Sequence, residues 1–149
     1  MTPAPHLRPA RRGDLAAVAA IARAAFGPFE AIIGRRPAPM EADHASDIDA
    51  GRVTVAVAED GRLSGFATLD LRDDVAILEI VAVAPGVQGR GVGRALIERC
   101  EARAAGRPIR LWTNVAMTGA LRLYPRLGYV ETGRGRHEGF DRVFFEKRP

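Results

Sequence analysis

The sequence predicts one α/β (α+β) domain with a mixed, mostly antiparallel sheet and helices on both faces of that sheet. The strand and helix patterns follow in the order β, α, α, three antiparallel strands, α, β, α, β, β. Antiparallel strands followed by a β-α-β-α unit are typical of a mixed sheet covered on both faces. No linker or internal repeat divides the 149 residues, which are about one domain long.

The first half of the chain contains the antiparallel strands. Asp60-Gly61 is a strong hairpin signal, and Gly51 ends a helical pattern. We predict a strand over residues 6–8, a helix after Asp14 as its N-cap, a loop over 28–39, a helix over 41–50 and strands over 52–58 and 62–71.

The second half contains the β-α-β-α unit. Residues 75–83 form the richest β-branched run and predict a buried central strand that ends at Pro85-Gly86. We predict a helix over 92–105 before Gly106, a strand over 109–113, a helix from Thr118 as its cap to Leu127 before Gly128, and strands over 129–132 and 142–146.

Composition excludes several classes of protein. Apolar residues make up 47% and charged residues 27% of the chain, which is typical of a folded domain and not of a disordered one. The net charge of +4 comes from a basic excess after Arg122 and suits an anionic ligand. No recognition helix or aromatic stacking motif accompanies it, so we expect no nucleic-acid partner.

The single cysteine and the apolar runs bear on compartment. Cys100 stands alone, which excludes an intrachain disulfide or a cysteine-based zinc site, and its helical setting predicts a buried, unreactive thiol. The N-terminus lacks the apolar run of a signal peptide, and the longest apolar stretch, 75–87, is interrupted by Glu79. We therefore expect a cytoplasmic protein with no membrane partner.

A glycine-rich loop follows the central strand and opens a helix. Gly89, Gly91 and Gly93 let the backbone approach a ligand, and the helix N-terminus adds unpaired N–H donors. Such a loop is an anion site suited to phosphate or pyrophosphate, and Arg90 and Arg94 could add charge-assisted contacts.

Two common phosphate motifs do not fit this loop. The dinucleotide fingerprint requires glycine where the chain has Arg94, and the nucleotide-triphosphate loop requires a Lys-Ser/Thr pair that is missing. The pattern Gln88-x-x-Gly91-x-Gly93, preceded by Val81-x-Val83-x-Pro85, instead resembles the acetyl-CoA pyrophosphate loop of the GNAT superfamily of N-acetyltransferases.

The resemblance extends over nearly the whole chain and implies a GNAT domain over residues 6–149. It implies a sheet split around acetyl-CoA, no metal, and direct attack by a primary amine of a small molecule or peptide in a ternary complex. A non-catalytic acyl-CoA-binding regulatory module is the alternative. The residues that the resemblance assigns to coenzyme A are Val81, Ala82, Val83, Gln88, Gly89, Arg90, Gly91, Val92, Gly93 and Arg94.

The segment 120–129 looks like the second motif of the family, a helix with a tyrosine that protonates the departing thiolate. Tyr124 is the match, although Pro125 interrupts the helix and leaves the aim of the hydroxyl open. Many relatives carry an asparagine seven residues before the tyrosine. That position is Met117, and Asn114 is the candidate for the same cofactor contact.

The catalytic base is less defined. Glu79 lies in an apolar strand and acts either as a base, directly or through water, or as a structural residue. We expect its side chain on the face of Ile77 and Val81, and the N–H of Val81 as a donor to the reacting oxygen.

On the acceptor side, we hypothesise that the loop 29–40 and the turn 137–141 flank the amine. Arg35 and Arg36 would favour an acceptor with a carboxylate or phosphate, although a solvated loop is the alternative. The turn is also a candidate homodimer contact. His44 and His137 lack metal-ligand spacing and are expected at the surface.

Overall fold

A computed structural model describes residues 4–149 and contains one seven-stranded sheet. The strands lie in the order β1-β2-β3-β4-β5-β7-β6. All neighbours pair antiparallel except β4 and β5, which pair parallel, so the predicted mixed, mostly antiparallel sheet is confirmed. Their bounds are β1 His6–Pro9, β2 Val53–Val57, β3 Leu63–Leu71, β4 Ala76–Val83, β5 Ile109–Asn114, β6 Val130–His137 and β7 Phe140–Lys147.

Helices cover both faces of the sheet and divide the core into two clusters. On one face, Leu96, Ile97 and Cys100 pack against Leu78 and Leu111. On the other face, the cluster contains Val18, Ile21, Ile48, Val55 and Phe66. The helices are α1 Leu15–Phe26, α2 Glu30–Ile33, α3 His44–Asp49, α4 Val92–Ala104 and α5 Thr118–Arg126. Burial raises the pKa of the Cys100 thiol to about 12, which agrees with an unreactive core cysteine.

The two central strands separate after a short parallel pairing. β4 and β5 pair only from Ala76–Ile109 to Leu78–Leu111. Beyond that point β4 continues to pair with β3, and β5 continues to pair with β7, so the sheet splits between them. The separation leaves one edge of β4 after Leu78 without a neighbouring strand.

A β-bulge lies at the start of this split. Thr68 pairs with Ile80 and Leu69 pairs with Leu78, so Glu79 is an extra residue on β4. The bulge changes the alternation of side chains, because Leu78 packs in the cluster of α4 while Ile80 packs in the cluster of α1. Val81 lies on the face of Leu78, opposite Ile77, so the expected shared face of Ile77 and Val81 is wrong.

Several predicted element ends differ in the structure. The helix expected over 41–50 is shorter, and the loop expected over 28–39 contains the short α2 and 3-10 turns at Gly27–Phe29 and Ala38–Met40. Asp14 precedes α1 but does not cap it, because its carboxylate binds Arg8 and the Arg11 N–H instead. Thr118 is the first residue of α5 rather than its cap.

One segment passes a length and composition test for a membrane span. Residues Arg12–Ile33 are helical and apolar enough. The segment consists of a 3-10 turn at Arg12–Asp14, α1, a second 3-10 turn and α2, and 17% of its apolar window is buried. The buried residues Val18, Ile21 and Ala22 have the spacing of an amphipathic helix that packs one side against the core.

Gly65 allows β3, β4 and α4 to approach closely. A Cβ at Gly65 would lie 2.7 Å from the Ala82 carbonyl oxygen and 3.2 Å from side-chain carbons of Leu96 and Val92. We expect Gly65→Ala to lower the free energy of unfolding by about 1–3 kcal/mol, because backbone and core must shift. Denaturant unfolding measures this. Gly135→Ala, where no atom lies within 4 Å, is the control; equal stability losses would contradict the packing explanation.

Candidate active site

A cavity of about 430 Å³ occupies the split between β4 and β5. Its walls include Glu79 and Val81 of β4, Asn114 of β5, Tyr124 of α5 and Arg142 of β7. The structure therefore brings together both predicted catalytic residues and two of the predicted cofactor residues. Such a concave site with few polar groups is typical of ligand binding.

The exposed edge of β4 presents backbone groups to this split. The N–H of Ala84 donates to the carbonyl of Ser64 on β3 at 2.8 Å. Because backbone groups alternate along a strand, Ala82 also points to β3, whereas Val81 and Val83 point away from β3 into the split. Val81 and Val83 can therefore pair with an extended ligand, and Ala82 contributes only its position between them.

The loop after β4 presents further N–H donors. Within residues 4–149, the N–H groups of Gly89, Gly91, Val92, Gly93 and Arg94 have no hydrogen-bond acceptor. Gly89 and Gly91 have φ angles of 81° and 83°, a left-handed conformation that other residues adopt at a cost. Donors converging in a helix N-terminus with left-handed glycines form an anion site.

Three side chains of this loop have different environments. The Gln88 side-chain amide donates to the Val83 carbonyl at 3.4 Å and ties the loop to the edge of β4. Arg94 forms a 3.1 Å ion pair with Glu98, and Arg90 is exposed with no ion pair in the described part of the chain. Arg90 is therefore the freer of the two cations for an anionic ligand.

Tyr124 remains at the cavity despite the proline that follows it. Pro125 is the penultimate residue of α5, and the helix tightens there, with the Leu127 N–H shared by the carbonyls of Leu123 and Tyr124. The Tyr124 ring packs at 5.5 Å from Tyr129. Burial raises the pKa of Tyr124, so its phenol stays protonated at neutral pH.

Glu79, the bulged residue, is half-buried in the cavity wall. Burial raises the pKa of its carboxyl, and the nearby Asp47 and Asp70 carboxylates raise it further. Arg52 connects those two carboxylates, at 3.3 Å from Asp47 and 3.7 Å from Asp70. A carboxyl with a raised pKa in a cavity is suited to accept a proton near neutral pH.

Asn114 ends β5 and lines the cavity, where its side-chain oxygen accepts the Ala116 N–H at 2.9 Å. This bond fixes the amide oxygen locally and leaves the amide N–H₂ for a ligand contact. Met117, which occupies the position seven residues before Tyr124, also lines the cavity but has no amide to donate.

The two predicted acceptor segments meet at the cavity. Pro37 and Pro39 of the first and Glu138 and Phe140 of the second line it. The guanidinium carbon of Arg35 lies 4.1 Å from the centre of the Phe140 ring, so the segments also contact each other.

The two loop arginines have other partners. Arg35 reaches the Glu138 carbonyl at 3.4 Å, and Arg36 pairs with Glu41 at 3.4 Å. Neither arginine lines the cavity, and their role in acceptor binding stays a prediction.

Two residues were misjudged or missed from sequence. His44 is buried against Phe66 rather than at the surface, and burial lowers the pKa of its imidazole. Arg142 was not singled out, yet it is only 4% exposed and lines the cavity. A pattern in the sequence could have revealed its position. Residues two apart on a strand point to the same face, so Arg142 shares a face with Phe140 and Phe144, and an arginine among aromatic side chains is a candidate for a buried cation.

The sequence profile of the acetyltransferase (GNAT) family matches residues 17–129. The chain belongs to the GNAT family. Among residues 4–149, no group of three or more His, Cys, Asp or Glu side chains is arranged to hold a metal ion.

Relatives of this GNAT chain include larger enzymes. It is 39% identical over 134 residues to a mycothiol acetyltransferase from Geodermatophilus obscurus, covering 87% of this chain and 43% of the relative. It is 35% identical over 90 residues to the streptothricin acetyltransferase of Streptomyces lavendulae, covering 55% and 46% of the two chains. The chain thus spans less than half the length of these relatives.

Solved structures share the fold of this GNAT chain. The PaiA N-acetyltransferase from Thermoplasma acidophilum, in complex with coenzyme A, superposes with a TM-score of 0.81 at 18% identity, covering 99% and 100% of the two chains. A GCN5-related N-acetyltransferase from Rhodopseudomonas palustris gives 0.81 at 24% identity, covering 100% and 98%.

The raised pKa of Glu79 predicts a pH-dependent contribution to stability. The folded state disfavours the ionised carboxyl, so stability falls as pH rises from the ordinary glutamate pKa of 4.5 through the raised folded value. Glu79→Gln removes this effect. Denaturant unfolding of both proteins at pH 4 and at pH 7 measures this. We expect the free energy of unfolding of the variant, relative to that of wild type, to be higher at pH 7 than at pH 4. A difference that is independent of pH would contradict the burial of this carboxyl.

Proposed function

We propose that the chain is an acetyl-CoA-dependent N-acetyltransferase that acetylates a primary amine of a small molecule by direct attack in a ternary complex. The observation that carries this proposal is the continuity of three features. The unpaired edge of β4 leads into the N–H-rich loop at one end, and at the other end it borders the cavity that contains Glu79 and Tyr124.

The residues present fit coenzyme A. The backbone groups of Val81 and Val83 suit the amides of an extended pantetheine arm, as an added strand would. The N–H groups of Gly89 and Gly91 to Arg94 suit a pyrophosphate, with Arg90 close in sequence for a charged contact. Asn114 is proposed to contact the arm from the other side of the split.

The thioester, when bound, supplies an electrophilic carbonyl and a thiolate leaving group. The Val81 N–H is proposed to donate to the carbonyl oxygen as negative charge develops on it. The Tyr124 hydroxyl, protonated because burial raises its pKa, is proposed to donate its proton to the sulfur. The Glu79 carboxylate is proposed to accept the proton of the attacking amine, directly or through water.

The similarity of the chain to mycothiol and streptothricin acetyltransferases favours a small-molecule acceptor. A peptide amine remains the second class of acceptor to include in any screen. We propose a cytoplasmic location, and the free thiol of Cys100 is compatible with a reducing compartment. The proposed homodimer is checked by light scattering of the purified protein.

An amine screen with detection of released thiol tests the function. We expect turnover of acetyl-CoA that depends on an added amine. Binding of acetyl-CoA without turnover on any amine would favour the alternative, a regulatory module that binds acyl-CoA and does not react.

Gly91→Val tests the binding loop. Gly91 has a left-handed φ that valine adopts only at a cost, so the substitution should move the N–H groups of the loop. We therefore expect the dissociation constant of acetyl-CoA to rise at least about tenfold, near 1.4 kcal/mol. Isothermal calorimetry measures this. Gly106→Val imposes comparable backbone strain at φ 86°, distant from the loop in sequence, and should leave binding unchanged. Equal affinity for both variants would remove the assignment of this loop.

Tyr124→Phe tests the proton donor. The change keeps the ring, and the hydroxyl makes no hydrogen bond within residues 4–149, so stability should change little while turnover falls roughly 10²-fold. Tyr129→Phe is the matched control, because its hydroxyl donates to Glu101 at 2.8 Å. That variant should lose about 1 kcal/mol of stability and keep its turnover. Wild-type turnover in Tyr124→Phe would assign Tyr124 to packing alone.

A further inference from the structure

Arg142 is a buried cation in the wall of the cavity that the proposed chemistry does not use. Its guanidinium is contacted by two aromatic rings, with its central carbon 5.2 Å from the Trp112 ring centre and 5.3 Å from that of Phe140. Aromatic contacts of this kind hold a cation in place and exclude water from it. The side chain is therefore fixed at the cavity by its surroundings.

The hydrogen-bond partners of Arg142 are few for a buried guanidinium. The group has five N–H donors in a planar fork. In the described chain it makes one hydrogen bond, donating to His137 Nδ1 at 2.7 Å. Burial lowers the pKa of Arg142, which reflects the loss of hydration that this bond replaces only in part. Buried charges in proteins are normally paired, so this one has capacity for an anionic partner.

Glu138 supplies the nearest carboxylate to Arg142, but its distance and exposure indicate a weak ion pair that an anionic ligand can displace. Its carboxylate lies 3.6 Å from Arg142, beyond ordinary hydrogen-bond distance, and its side chain is 67% exposed. Glu138 and Gly139 form the two-residue turn between β6 and β7, with φ angles of 54° and 82°. A glutamate in this left-handed conformation is uncommon, because such turns favour Asn, Asp or Gly.

We propose that Arg142 binds a carboxylate of the acceptor, so that the acceptor class is a small amine that also carries a carboxylate. This inference rests on the proposed acetyl transfer. A carboxylate matches the planar fork of a guanidinium and would complete the pairing of a buried charge. On binding, the acceptor carboxylate replaces Glu138, whose exposed side chain can turn to solvent.

The same position explains why the acceptor amine would reach the reacting groups. Arg142 and Glu79 both line the one cavity, and so does Tyr124. An acceptor held by its carboxylate at Arg142 would have its amine in the cavity that Glu79 and Tyr124 also line. Arg142 is therefore a specificity-determining residue rather than a catalytic one.

Matched probes test the proposal. An α-amino acid and its α-carboxamide differ only in the charge of the group that Arg142 would bind. Trp112 is the one tryptophan of the chain and lines the cavity, so its fluorescence reports binding without any turnover. Titrations of the CoA-saturated protein over a set of such pairs, with turnover measured alongside, give two separate readouts.

We expect wild type to bind at least one amino acid tenfold or more tightly than its carboxamide. Arg142→Gln should remove this preference, and Arg142→Lys should retain part of it, because lysine keeps the charge without the fork. Arg110→Gln, at an exposed arginine paired with Glu146 at 2.8 Å, is the control and should retain the whole preference. No preference in wild type, or a preference that survives in a folded Arg142→Gln, would overturn the proposal.

Glu138→Gln should change the affinity for the amino acid in the opposite direction to Arg142→Gln. Because the Glu138 side chain is exposed, we expect this variant to fold normally. Removing the competing carboxylate should tighten the amino acid several-fold and leave the carboxamide unchanged. Weaker binding of the amino acid by this variant would overturn the proposed competition at Arg142. Carboxylate binding without acetyl transfer would reject the proposed function alone, since the fluorescence readout does not depend on the reaction.

Discussion

The separation of β4 from β5 is the constraint on which the rest of the structure depends. A continuous sheet would pair the backbone groups of Val81 and Val83 with β5, and the site would be closed by hydrogen bonds. Instead the parallel pairing stops at Leu78, and the bulge at Glu79 turns the strand at that point. The N–H groups of Val81 and Val83 therefore have no strand partner, and an extended ligand can pair with this edge as an added strand would.

The same bulge determines which face of the sheet each side chain of β4 packs against near the proposed reaction site. Because it reverses the alternation, Leu78 and Val81 pack toward α4 and α5, while Ile80 packs toward α1 and α3. Glu79 lies at the reversal itself, among the charges of Asp47, Arg52 and Asp70. Tyr124 reaches the cavity from α5. The proposed proton acceptor and the proposed proton donor thus approach one cavity from different elements, and burial raises the pKa of each side chain.

The sequence predicted the parts of the fold that local chemistry decides. The expected positions are found for Gly91 directly before α4, Gly93 in the first turn of α4, the β-branched run that ends at Val83 and the turn at Asp60-Gly61. The bulge could not be predicted, because it depends on the register between β3 and β4, which no local pattern contains. The burial of His44 and the cavity position of Arg142 likewise come from contacts with Phe66 and Trp112, distant in sequence.

These differences follow from how the two halves of the site are built. The proposed coenzyme side uses backbone groups of one continuous segment, from β4 through the loop to α4, so short motifs describe it. The proposed acceptor side is assembled from side chains of α2 and the loop after it, β5, and the β6–β7 turn, which meet only in the folded chain. Side chains can be exchanged without disturbing the backbone that is proposed to bind the coenzyme. With the roles proposed above, such a domain can keep one acyl donor while single residues such as Arg142 set its acceptor.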